Sequence, residues 1–401
     1  MVSRWVYPAV GMAANLVLGT IYSWSVFRRP LEDFCGWSEF ESSLPFSVFL
    51  FSFAATMPFG GRMIARHGPQ LTAAFGAVLV WAGWVLSSLV FPMRDSLLLT
   101  LFFYGVVAGV GVGLYYGAPI AVSSRWFPER RGLAVGLTVL GFGLSPLITA
   151  PLAAHSILQL GVTSAFAVLG TAFGVLLAVL SRLLRFPEVG EVQKRATEAS
   201  RSSERDIAPD RMVRTELFRA LWLCYLLGTF GGFIAISLSA KYCIDVIGMT
   251  PQAAAAMTGL FAVFNGAGRP FFGYLTDRLS AKAAALFSFV ILLIASSTMA
   301  LSSSVAAFVA SFSALWFVFG GWLTIAPSLT SKFFGLRHLS TNYGIVFTAY
   351  GASALLAPPI AAYLRESFGN YAAPFATTAA LSVIGMALAA LRLRPELEGK
   401  S

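Results

Sequence analysis

One residue type stands where its surroundings argue against it. In the run VFNGAGRPFFGYLTDR, residues 263–278, Arg269 interrupts an apolar stretch. It lies eight residues before Asp277, or about 12 Å at the helical rise. A charge at the centre of an apolar span costs at least about 2.5–3.5 kcal/mol, so such residues face an interior and have a partner. A guanidinium offers a planar fork of donors that matches both oxygens of a carboxylate. The chemistry on offer is therefore recognition of an anion; the plain alternative is a long side chain reaching back to the interface. Asn265 lies one turn earlier, on the same helical face. Gly266 and Gly268 let a neighbouring helix approach, and Pro270 removes the N–H that the Gly266 carbonyl would accept from.

The elements that position this group are set by composition. Of 401 residues 57% are hydrophobic and only 11% charged, with mean hydropathy +0.76. Soluble domains carry roughly 25% charged residues. Apolar runs of about 20 residues recur, each long enough to cross a hydrocarbon core. Strands of alternating polarity are absent, so helices must satisfy the backbone in lipid. Twelve transmembrane helices are expected, at 5–27, 44–61, 70–91, 97–121, 132–155, 164–184, 219–244, 252–275, 283–302, 305–331, 340–363 and 372–392. The first runs into YSWSVFRRP rather than a small-residue cleavage site, so it reads as a span and not a cleaved signal.

The net charge of +10 is a topology signal. With both termini in the cytoplasm, 22 of the 28 Lys and Arg fall on the inner side and five on the outer side; Arg269 remains. Nucleic-acid binding is thereby excluded as the meaning of the basic excess. Cys35, Cys224 and Cys243 form no CxxC or Cys/His pattern, and His67, His155 and His338 lie far apart, so no metal or other cofactor is expected. No nucleophile–base pair appears, which argues against an enzyme.

Residues 185–218 contain the longest polar stretch and read as a cytoplasmic linker between an N-terminal half, 1–184, and a C-terminal half, 219–401. The halves repeat one another. GGRMIARHGPQLTAA follows the second span and GYLTDRLSAKAAAL the eighth, aligning Gly61 with Gly273 and Arg66 with Arg278. SSRWFPERRG after the fourth span echoes TSKFFGLRHLS after the tenth. Parallel repeats of this kind describe a transporter whose site lies between the halves near the midplane.

With these features the chain resembles the major facilitator superfamily: an all-α membrane protein of two six-helix halves. Gly273, Asp277, Arg278 and Lys282 fit its G-x-x-x-D-R-x-G-R-K loop, whereas Ala65 replaces the aspartate in the first half. NLVLGTIYSWSVFRRP (15–30), RWFPERRG (125–132), FNGAGRPFFGYLTD (264–277) and NYGIVFTAYGAS (342–353) resemble the oxalate/formate antiporter family and related monocarboxylate transporters. That resemblance implies that Arg269 anchors a substrate carboxylate. It adds Tyr116 and Tyr22 as contacts, with bonding to a backbone carbonyl as the alternative. Oxalate exchangers carry a lysine where Tyr350 stands, and polar or aromatic residues where this chain has Ile21, Phe142, Phe319 and Leu323. One cation in an apolar cavity suits a small monocarboxylate, such as lactate or pyruvate, better than a dianion.

The expected function is alternating-access transport of such an acid across the inner membrane of a bacterium, by a monomer and coupled to a proton. Oxalate/formate-type exchange is the alternative within transport, and a non-transporting carboxylate sensor the alternative outside it. Animal monocarboxylate transporters have an aspartate where Asn265 stands, so the proton needs another carrier. Asp245 and His155 are the candidates. For Asp245 the competing reading is a solvated pair with Lys241, four residues earlier.

Overall fold

A computed structural model describes residues 4–94, 96–127, 131–187, 207–335 and 338–393, without the side chains of residues 131–133, 277, 281, 339 and 340. Most of the linker lies outside these residues. The described chain is mostly helical and carries no strand.

Helix α1 (Val6–Leu18) passes through a tight 3-10 segment, Gly19–Ser23, into α2 (Trp24–Cys35). Next come α3 (Glu39–Val90), α4 (Ser96–Thr100), a wide π-helical stretch (Leu101–Ala108), α5 (Gly109–Trp126) and α6 (Arg131–Ser181). After the linker follow α7 (Pro209–Met212), α8 (Glu216–Asp245), α9 (Pro251–Arg278), α10 (Ala281–Leu301), α11 (Val305–Phe334), α12 (Leu339–Val346), α13 (Thr348–Phe368) and α14 (Ala372–Arg392).

Among the described residues, nine helical segments are long and apolar enough to cross a membrane. Two of them, of 52 and 48 residues, are too long for one crossing. They break at Gly68 and Gly161, whose φ of 82° and 75° only glycine adopts without strain. Each break yields two rods, and Pro69 starts its rod where a missing N–H costs nothing. Helix α9, at 28 residues, is long enough to cross but more polar than the other nine, because it carries Asn265, Arg269 and the loop charges. The rods match the twelve expected spans in order, and most extend beyond them.

Two packing seams position the site. Helix α9 lies against the first rod of α6, and α13 against the first rod of α3. Gly266 meets the Leu144 side chain of α6, while a Cβ on Gly268 would fall 2.0 Å from the Phe317 carbonyl oxygen of α11. The two glycines thus do what their small size suggested, each towards a different helix. A Cβ on Gly320 would sit equally close to the Asn265 carbonyl oxygen, so α9 and α11 touch backbone to backbone beside the polar pair.

Candidate functional site

Arg269 is buried, with only 7% of its surface exposed, and it crosses the seam between the N-terminal and C-terminal rods. Nη1 donates to the Val139 carbonyl of α6 at 2.6 Å, and Nη2 to Asn265 Oδ1 at 3.4 Å. Its Nε and the Asn265 amide nitrogen are buried without a hydrogen-bond partner among the described residues. No carboxylate lies within ion-pairing distance of it among those residues. A cation held only by neutral acceptors keeps its charge uncompensated, and an anion would complete it.

The space for the guanidinium comes from Gly143 of α6. A Cβ there would lie 2.8 Å from Asn265 Oδ1, 3.0 Å from Arg269 Nη2 and 3.1 Å from Nε. Sequence reading missed both Gly143 and the Val139 carbonyl. The signal for Gly143 was its place in the GFG run beside Phe142, but that run names no partner.

The aromatic candidates converge on the same place. The Tyr22 and Tyr350 hydroxyls bond one another at 2.6 Å across the two halves. Tyr22 therefore bonds another side chain and not the backbone carbonyl that was its alternative partner. Phe142 packs edge-on to Tyr22 at 5.0 Å between centroids and to Tyr116 at 5.4 Å; Phe319 meets Tyr22 at 5.6 Å and Tyr350 at 6.0 Å. Tyr116 is half-buried, and Leu323 lies one turn beyond Phe319 on α11, also half-buried. Tyr22 and Tyr116 both lie within electrostatic reach of Arg269.

The proton candidates are not part of this cluster. His155 is exposed on the outside of α6. Asp245 joins a charge network at the helix ends away from the linker, and its expected pairing with Lys241 gives way to other partners. It accepts from Arg29 at 2.6 Å, Arg365 at 3.4 Å and the Tyr371 hydroxyl at 3.1 Å. Lys241 instead pairs with Glu32 at 2.5 Å and Glu39 at 3.4 Å. Arg365 also contacts Glu39. Arg28 is wholly buried and donates to the Ser237 carbonyl, the Glu39 carbonyl and Ser42 Oγ, at 3.1, 2.6 and 3.0 Å. Glu366 accepts from the Phe40 backbone N–H at the start of α3. The reason for the changed pairing is proximity: α2 and α3 bring two carboxylates to Lys241, and burial favours direct pairs. The expected pair of Lys241 and Asp245 joined neighbours on one helix, whereas the observed pairs tie residues of 28–41 to residues of 237–245 and 365–366.

At the helix ends on the linker side, Gly61 and Arg66 are exposed, with open space around Gly61. A Cβ on Gly273 would lie 3.3 Å from Thr324. Arg278 lies over the Tyr274 ring, and Lys332 donates to the Thr276 carbonyl at 2.9 Å. The Asp277 side chain lies outside the described residues.

A helical protein whose described residues form twelve rods, with a buried cation between its N-terminal and C-terminal rods, has the architecture of a membrane carrier. The chain belongs to the Major Facilitator Superfamily, whose model matches residues 6–325 and 221–401. It is 30% identical over 391 residues to the oxalate:formate antiporter of Oxalobacter formigenes, covering 96% of this chain and 91% of that one. It is 25% identical over 347 residues to human monocarboxylate transporter 12, covering 79% and 66%. Among solved structures, a bacterial homologue of the human lysosomal transporter Spinster, inward-facing and occupied, superposes with a TM-score of 0.70 at 18% identity over 98% of this chain and 97% of that one. The protein is a membrane transporter of that superfamily.

Proposed function

We propose that this transporter moves a small monocarboxylate of the lactate or pyruvate kind by alternating access between two six-helix halves, 1–184 and 219–401, joined by a linker at 185–218. One observation carries the proposal. Arg269 is a buried cation on the seam of the halves, held only by the neutral acceptors Val139 and Asn265 among the described residues. A carboxylate satisfies it with two oxygens, and the aromatic wall of Phe142, Phe319 and Tyr22 accepts an apolar tail. Tyr350, bonded to Tyr22, supplies no second cation, which supports a monoanion over a dianion. The outer charge network is the outer gate, closed here. The excess of Lys and Arg on one side supports cytoplasmic termini in a bacterial inner membrane. The carrier acts as a monomer.

An anion can be driven by a cotransported proton or by a counter-anion. Exchange is favoured by a specific observation: neither proton candidate reaches the site. Asp245 is committed to the outer network, and His155 faces outwards. Similarity to an antiporter supports the same reading.

The test is uptake of labelled lactate, pyruvate, formate and oxalate by purified protein in liposomes. Arg269→Gln is expected to abolish uptake of the monocarboxylates while the variant remains monodisperse. Undiminished uptake by that variant would sink the anchor role.

A further inference from the structure

Resting on Arg269 as the carboxylate anchor, we propose that Tyr225 is a specificity residue of the same site. Its hydroxyl reads an oxygen on the substrate beyond the carboxylate, so the preferred cargo carries a hydroxyl or keto oxygen beside its acid group.

Tyr225 is on α8, nine residues from its inner end at Glu216; Arg269 is nine residues from the inner end of α9 at Arg278. The two therefore stand at matching depth, about 14 Å in at the helical rise. The Tyr225 ring is wholly buried and held on several sides. It stacks on Trp322 at 6.0 Å and 20°, meets Phe347 at 6.3 Å, and lies 6.5 Å from the Tyr350 ring. Gly228, one turn on, leaves room for the Trp322 indole that fixes the ring. The hydroxyl is buried and forms no hydrogen bond of standard geometry among the described residues. Its polar neighbours are Tyr343, Tyr22 and Tyr116, all three of which also feel the Arg269 charge, and the Tyr343 hydroxyl stands within side-chain hydrogen-bonding reach of it.

An unmet buried hydroxyl is a net loss to the fold, since a phenylalanine would fill the same space without it. Retained inside a binding site, it fits a role towards a ligand. Three more donors there are unmet, Arg269 Nε, the Asn265 amide nitrogen and Nε1 of the Trp322 indole stacked on the Tyr225 ring. A plain alkyl carboxylate brings two acceptor oxygens, which Arg269 and Asn265 take up. The Tyr225 donor asks for a third. A site built to bond a substrate oxygen rejects the analogue that lacks it, because the protein group is then left unpaired.

The experiment compares pyruvate with propionate, which has the same carbon skeleton without the keto oxygen, in liposomes. Wild-type protein is expected to favour pyruvate. Tyr225→Phe is expected to lower the pyruvate-to-propionate ratio about tenfold, the scale of one hydrogen bond, with propionate uptake unchanged. Tyr343→Phe separates the alternative in which the Tyr225 hydroxyl serves only its tyrosine neighbour, and it should leave the ratio as in wild type. Equal transport of both acids by wild type, an equal loss of both in Tyr225→Phe, or an equal drop of the ratio in Tyr343→Phe would overturn the inference. Arg269→Gln is the separate control. Normal uptake of both acids there overturns the anchor, whereas loss of both leaves the Tyr225 result to be judged alone.

Discussion

At the scale of residues, the candidate site is a problem of one charge and the space around it. The charge was legible because apolar runs expose an intruder: Arg269 announces itself in sequence, and Asn265 follows from helical spacing. The space was not legible. Gly143 lies 126 positions away, and its role appears only when α6 is laid against α9. Its substitution separates site from scaffold. Gly143→Ala places a Cβ 2.8–3.1 Å from Asn265 Oδ1, Arg269 Nη2 and Nε, so the polar ends must shift. Alanine in a helix is otherwise favoured over glycine by about 0.8–1.0 kcal/mol. The variant is therefore expected to keep or raise its melting temperature while its apparent affinity for the carboxylate falls. Unchanged affinity, measured by competition in liposomes, would show that the guanidinium does not need the gap. Arg269→Lys tests the fork itself: a point charge is expected to retain less uptake than the guanidinium, and equal uptake would show that charge alone suffices.

At the scale of elements, helix order was readable and helix pairing was not. Apolar runs of sufficient length predict each rod. The glycine breaks at 68 and 161 fall between expected spans, and α9 stands out for its charges. Nothing local shows that Lys241 will choose Glu32, 209 positions away, over Asp245, four away. That choice joins α2 and α3 to α8, and Arg365 adds α13. If the network is the outer gate, weakening it must favour opening on that side. Removing one partner of a buried ion pair typically costs about 3–5 kcal/mol. Glu39→Gln strips a carboxylate shared by Lys241 and Arg365. Ser237 is buried beneath Arg28 and can report the change as Ser237→Cys. The expectation is slow labelling by an impermeant maleimide from outside in the otherwise unchanged gate, and faster labelling when Glu39→Gln is added. The same rate in both would remove the gating role from the network.

At the scale of the whole molecule, the charges constrain how transport is driven. The gate contributions of the two halves are each balanced. The N-terminal side contributes Arg28 and Arg29 with Glu32 and Glu39, and the C-terminal side Lys241 and Arg365 with Asp245 and Glu366. Arg28 already lies 3.9 Å from Glu32, and Arg365 lies 3.4 Å from Asp245, within their own halves. On opening, Lys241 can turn to Asp245, four residues on, which gives the pair read from sequence a place in the open state. Opening then requires no proton. Arg269 differs: as the proposed carboxylate anchor, its charge would be balanced only when the carrier is loaded. An uncompensated charge within a span costs at least about 2.5 kcal/mol. If that cost falls on reorientation of the empty carrier, it slows the step roughly fifty- to a hundredfold. A carrier that turns over mainly when loaded is an exchanger. Liposomes preloaded with unlabelled acid should therefore take up labelled acid much faster than empty ones, and an imposed pH gradient should add little. Uphill accumulation in empty liposomes, driven by the pH gradient alone, would return the coupling to a proton and require a carrier other than Asp245 and His155.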